Sequence, residues 1–230
     1  MRLFAFGDSF TYGLVKEKKR IKLKSYIEVI GDMLGVEVSN RARPGSGNAE
    51  ITSNLSHSLL MSEIEEDDFV FVGWSGITRP FSWDKNQNGY SNKMQFPIDT
   101  PHGVIKAPET EECVNMSALS MRYTSDVLTK RNIKHLMISN FVDHKTFLFD
   151  LQKDEEWPDW IEYNKFNNTV YDICAGTWLN EIPDLTASVM KNHNDTGFTN
   201  QYIAGCQHPT QAGHNLVADV LLPYFDKAIA

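Results

Sequence analysis

The sequence predicts a three-layer α/β fold, with helices on both faces of a central parallel sheet of about five strands. Three observations carry this. Leu3-Phe4-Ala5-Phe6 and Phe69-Val70-Phe71-Val72-Gly73 are short, unbroken apolar runs, the pattern of strands covered on both sides. Segments of helical spacing separate such runs, and strand–helix–strand alternation implies parallel pairing through right-handed crossovers. The chain has 230 residues, 41% of them hydrophobic, which is enough for a sizeable core and most economically one domain over 1–230.

Each element follows from local chemistry. The first apolar run stops at Gly7, where the backbone can bend sharply, and Asp8 and Ser9 are both helix-capping types, so a short helical turn begins there. Lys16 to Lys24 is strongly basic; it reads as a solvated surface loop leading into a helix, or as a basic patch that attracts an anionic substrate. Tyr26, Ile27, Ile30, Met33 and Leu34 have helical spacing, stopped at Gly35. Val36 to Asn40 alternates as a strand, and Arg41 to Asn48 is a loop of breakers. Ile51, Leu55, Leu59 and Leu60 mark another helix before the Phe69–Gly73 strand.

A stretch at about 75–112 is rich in Pro, Asn, Gly and aromatics and lacks sustained periodicity; it reads as an insertion over the edge of the sheet. Trp74, Phe81, Trp83, Tyr90 and Phe96 either line a substrate groove there or pack the insertion's own small core. Met116 to Lys130 reads as a helix, His135 to Ser139 as a strand, and Trp157 to Leu179 as containing a helix. Thr186 to Cys206 is polar and unassigned, and the last helix runs from about Thr210 to Lys227.

Composition narrows the function. Net charge is −8, from 22 basic and 30 acidic residues, which disfavours nucleic acid as a partner. No apolar run reaches the length of a membrane span, and no secretory signal precedes the first strand, so a cytoplasmic protein is expected, with signal-independent or phage-associated export left open. Cys113, Cys174 and Cys206 fit reduced thiols, and no histidine pair has metal-ligand spacing, so neither a metal nor another cofactor is expected. Gly-x-Ser-x-Gly and the glycine-rich phosphate-binding patterns are absent.

The chemistry-bearing residues lie at the two ends of the chain. Ser9 in Gly7-Asp8-Ser9-Phe10-Thr11-Tyr12-Gly13 sits where a first strand turns into a helix, the edge at which open α/β sheets bind ligands. His208 in His208-Pro209-Thr210-Gln211-Ala212-Gly213-His214 immediately precedes the last helix. A serine nucleophile needs a base for its proton and donors for the oxyanion. These two blocks together resemble the GDSL, or SGNH, hydrolase family.

The resemblance implies a flavodoxin-like strand order and a serine esterase. Ser9 is the nucleophile that forms an acyl-enzyme, and His208 is the general base. The backbone N–H groups of Ser9 and Gly45 hold the oxyanion. Gly45 lies five residues after Asn40, the family's spacing, and Gly47 competes for the role. Ser75 stands where the family has an asparagine donor; its hydroxyl supplies the third oxyanion contact in this reading. Gly205 stands where the family has the aspartate that orients the histidine, so a backbone carbonyl, Gln207 or Asp195 holds His208, or a Ser–His dyad works alone.

Asp8, Asn48, Trp74 and Arg79 are candidate substrate contacts. Arg79 reads either as a ligand for a carboxylate or sugar hydroxyls, or as a surface ion pair. His214 reads as structural. The polar, aromatic insertion favours an O-acetyl group on a carbohydrate over a long acyl chain. A reading from another class stands beside the esterase: a binding or structural module on the same fold with a weakened site. Cys206, two residues before His208, offers a cysteine-assisted variant.

Overall fold

The computed structural model describes residues 1–16, 19–76, 82–84, 89–91, 98–100, 103–105, 110–140, 201–204 and 208–229. Among the described residues, four strands form the central sheet: β1 (Arg2–Gly7), β4 (Glu37–Asn40), β5 (Phe69–Trp74) and β10 (Lys134–Ser139). Their spatial order is β10-β5-β1-β4 and every pairing is parallel. In chain order this places the second sheet strand outside the first, with the third and fourth on the other side, the flavodoxin-like arrangement.

Strand alternation divides the core into two layers of contact. Leu3, Ala5, Phe69, Phe71, Leu136 and Ile138 face one side and pack on α2 (Tyr26–Leu34) and on the C-terminal helix α5 (Gln211–Ile229). Phe4, Phe6, Val70, Val72, Trp74 and Met137 face the other side and pack on α3 (Asn48–Leu60) and α4 (Thr110–Lys130). The unbroken apolar runs read from the sequence are therefore strands buried on both faces.

Local signals set the helix ends. Ser25 caps α2 with a reciprocal pair, its hydroxyl accepting from the Glu28 N–H while the Glu28 carboxylate accepts from the Ser25 N–H. The left-handed Gly35 ends that helix. The basic stretch near residue 20 is not a plain loop. Leu14–Lys16 (β2) pairs antiparallel with Arg20–Lys22 (β3), and the residues of β3 stay exposed, which is why charge hid the hairpin in the sequence.

The segment before α4 also differs from its sequence reading. Ser82–Asp84 (β6) pairs with Gly89–Ser91 (β7), and Ile98–Thr100 (β8) pairs with Gly103–Ile105 (β9), so two short hairpins stand where periodicity was lacking. Helix α4 begins at Thr110 rather than near Met116, because its first turn is built of polar residues, Thr110, Glu111 and Glu112, that carry no apolar signal. The helix expected between Trp157 and Leu179 lies outside the described residues. Among the described residues, no helix is long and apolar enough to cross a membrane.

Candidate active site

Strand β1 delivers Ser9 to the sheet's C-terminal edge. Its last residue, Gly7, is in register with Gly73 of β5, and a side chain at either glycine would overlap the Thr11 hydroxyl. This close approach requires glycine at both positions and lets the short helix α1 (Ser9–Tyr12) fold directly over the strand ends. Asp8 caps that helix by accepting the Phe10 N–H at 3.0 Å. Gly13 ends it in the left-handed conformation, at φ 84°.

His208 arrives from the opposite end of the chain. Ile203 and Pro209 form an antiparallel bridge, and the Ala204 N–H donates to the His208 carbonyl at 2.9 Å. Thr210 caps α5, its hydroxyl accepting the Gly213 N–H and donating to the Gln201 carbonyl. The Gln211 side chain clasps the Lys24 backbone, accepting from its N–H at 3.1 Å and donating to its carbonyl at 3.0 Å. The Phe10 ring packs beside the imidazole, with centroids 5.1 Å apart.

These tethers place His208 Nε2 2.8 Å from Ser9 Oγ, a hydrogen bond between residues 199 apart in the chain. Ser9 is 4% exposed and His208 is half-buried. With the imidazole protonated at Nδ1, Nε2 accepts the Ser9 hydroxyl proton, the arrangement that activates a serine. Gly205, Cys206, Gln207 and Asp195, the residues considered for orienting or assisting His208, lie outside the described residues, as does Arg79.

The Gly45 loop sits beside the same edge. Beyond β4 the chain keeps pairing with β1, the Arg41 N–H donating to the Ala5 carbonyl and the Arg43 N–H to the Gly7 carbonyl. Asn40 anchors the loop, donating to the Thr11 carbonyl and the Ser25 hydroxyl and accepting the Ala42 N–H. Gly45 is exposed, with a φ of 90°. Gly47 instead occupies the cap position of α3, its carbonyl accepting the Ile51 N–H.

Four expected site residues turn inward. Ser75 donates its hydroxyl proton to Asp8 Oδ2 at 3.0 Å, and its N–H to Asn48 Oδ1 at 2.9 Å. A serine has one hydroxyl proton and one amide proton, so both donors are committed away from an incoming oxyanion. Asn48 is buried, and its amide also donates to the Ser117 hydroxyl, bracing α3 against α4. Trp74 is 1% exposed because its position in β5 faces the α3–α4 core. Asp8 is 0% exposed and accepts from Phe10, Ser75 and Asn140. The Ser75 donors and the Asp8 and Asn48 side chains, expected at the oxyanion and the substrate, are thus engaged in internal hydrogen bonds, and Trp74, expected at the substrate, packs in the apolar core.

Asn140, Thr11 and Tyr26 form a buried network against the Ser9 turn that sequence reasoning did not find. A lone asparagine after a strand has no periodic signal. His214, read as structural, is 0% exposed; its Nδ1 accepts the Tyr26 N–H at 3.3 Å, and burial lowers its pKa to about 4. Apart from this site, a polar cleft of about 390 Å³ lies beside α3 and the β4 exit, lined by residues such as Arg41, Arg43 and His57. It includes neither Ser9 nor His208.

By sequence, the chain matches no family model and no curated relative. By structure, it is similar to a lipolytic protein of the G-D-S-L family from Desulfitobacterium hafniense DCB-2, with 13% identity and a TM-score of 0.50 over 99% of this chain and 98% of that one. It is also similar to an acetyl xylan esterase from the rumen bacterium Butyrivibrio proteoclasticus, with 13% identity and a TM-score of 0.51, covering 98% of this chain and 63% of that longer one. A carbohydrate esterase family 2 enzyme with a carbohydrate-binding domain, from Corynascus thermopiles, matches with 12% identity and a TM-score of 0.50, over 99% of this chain and 66% of that one. The chain has the GDSL/SGNH hydrolase fold, an α/β fold shared with esterases.

Proposed function

We propose that this protein is a serine esterase that hydrolyses a carboxylic ester, with an O-acetyl group on a carbohydrate as its substrate class. The observation that carries the reading is the 2.8 Å contact between His208 Nε2 and Ser9 Oγ. Ser9 Oγ attacks the ester carbonyl carbon while its proton passes to His208 Nε2. The N–H groups of Ser9 and Gly45 receive the oxyanion. When the intermediate collapses, the C–O bond to the alcohol breaks and the alcohol takes the proton from His208. Water, deprotonated by His208, then attacks the acyl carbon, and Ser9 leaves with its proton restored. The acetyl preference is supported by the polar, aromatic composition of the 75–112 stretch and is in keeping with an acetyl xylan esterase among the fold relatives.

The test is acetate release from acetylated xylo-oligosaccharides and from short-chain aryl esters. The wild type hydrolyses them, and Ser9→Ala lowers kcat by ~10³-fold or more, with the protein still folded. Equal turnover in Ser9→Ala refutes the mechanism.

A second reading is a carbohydrate-binding module with a weakened site. It is favoured by Ser75, whose two donors are both committed internally. On this reading calorimetry shows binding of the acetylated oligosaccharide without acetate release.

A further inference from the structure

Asn140 stands immediately after β10 and is 0% exposed. Its backbone N–H donates to the Trp74 carbonyl at 2.9 Å, tying the exits of β10 and β5 together. Its amide reaches further. Nδ2 lies 2.9 Å from Asp8 Oδ1, and 3.3 Å from both Thr11 Oγ1 and the Gly73 carbonyl. Oδ1 accepts from the Tyr26 hydroxyl at 3.3 Å.

The amide's orientation is fixed by chemistry. A flip would aim Oδ1 at the Asp8 carboxylate, setting two acceptors against each other. The Tyr26 hydroxyl, itself 2.9 Å from Thr11 Oγ1, holds the opposite end. The space is closed: a Cβ on Gly73 would stand 3.1 Å from Asn140 Nδ2 and 3.0 Å from the Tyr26 hydroxyl.

Asp8 is joined covalently to Ser9 and caps the turn that carries it. A carboxylate at 0% exposure depends on its donors to stay in place. Phe10 supplies one from within the turn, Ser75 one from the β5 exit and Asn140 one from the β10 exit. The sheet thereby grips the turn through Asp8, and the turn aims Ser9 Oγ at His208.

We propose that Asn140 is a positioning residue for the nucleophile: its amide, clamped by Tyr26 and donating to the Asp8 carboxylate, holds the Ser9 turn in the orientation that reaches His208. The inference rests on the esterase reading. It touches no substrate and supplies no proton, so its removal acts on the chemical step and leaves substrate affinity unchanged.

The experiment compares the wild type with Asn140→Asp, an isosteric change. The readouts are the rate of fluorophosphonate labelling of Ser9, kcat and KM for an aryl ester from about pH 5 to 8, and thermal unfolding. The introduced carboxyl group donates to Asp8 only while it holds a proton, and once ionised it repels Asp8. The expected result is a loss of labelling and kcat of about ten- to a hundredfold at the alkaline end. That deficit relative to wild type shrinks as pH falls, with KM unchanged. A deficit independent of pH, or wild-type rates throughout, overturns the proposal.

Should Asn140→Asp fail to fold, Tyr26→Phe removes only the hydroxyl that clamps the amide. A few-fold fall in kcat at constant KM supports the proposal, and unchanged kcat overturns it. An unlabelled, inactive wild type overturns the esterase reading and this inference together, whereas a labelled wild type with an unaffected Asn140→Asp overturns this inference alone.

Discussion

His214 makes stability depend on pH in a window that can be named in advance. The imidazole is 0% exposed where α5 crosses the start of α2, stacked 5.9 Å from the Tyr26 ring. Its Nδ1 accepts the Tyr26 N–H, so Nε2 carries the proton, and among the described residues Nε2 has no hydrogen-bond partner. Burial is the main cause lowering its pKa to about 4, opposed by the nearby Glu28 charge and aided by His208 and Lys22.

In the unfolded chain the same group titrates near 6.5. Between these values the unfolded state binds a proton that the folded state refuses, so stability rises with pH across the window. The contribution is full above about 6.5, is lost as pH falls toward about 4, and changes no further below that, where both states are protonated. A difference of about 2.5 pKa units corresponds to ~3 kcal/mol. The perturbation is His214→Asn, whose side-chain oxygen still accepts the Tyr26 N–H. The assay is urea unfolding followed by far-UV circular dichroism from pH 4 to 7. The wild type loses ~3 kcal/mol more than the variant across that range. A wild-type–variant difference that stays constant with pH refutes the reasoning.

Two further predictions concern the turn at Ser9. Gly73→Ala forces a Cβ onto the hydroxyl of the buried, β-branched Thr11 and against Tyr26 and Asn140. Urea unfolding is expected to show a loss of about 1–3 kcal/mol, the usual cost of overpacking, with slowed labelling of Ser9. Phe10→Leu keeps an apolar side chain but removes the ring that packs 5.1 Å from His208. Steady-state kinetics on an aryl ester is expected to show kcat reduced about two- to tenfold at constant KM, the size of an aromatic contact.

The sheet was legible because burial on both faces writes unbroken apolar runs such as Leu3–Phe6 and Phe69–Gly73. Ser9 and His208 were legible because each sits in a motif at the boundary of an element, and the fold brings those boundaries to one edge. Trp74, grouped in the sequence with the aromatics of the insertion, instead continues the apolar run by one residue and shares its burial. Ser75 follows directly on β5, but sequence position does not show that Asp8 is 3.0 Å from its hydroxyl. Asn140 was invisible for the same reason: its partners Asp8, Thr11 and Tyr26 are all more than a hundred residues away and meet it only through the fold. The hairpins of the 75–112 stretch went unread because three-residue strands are shorter than any periodicity that could reveal them.

The central claim, a serine activated by a histidine from the far end of the chain, is tested most directly by intact-mass analysis after exposure to a fluorophosphonate probe. The account predicts one adduct per chain, mapped by peptide fragmentation to Ser9, absent in Ser9→Ala and strongly slowed in His208→Ala. A folded wild type that takes no adduct, or takes one at a residue other than Ser9, contradicts it.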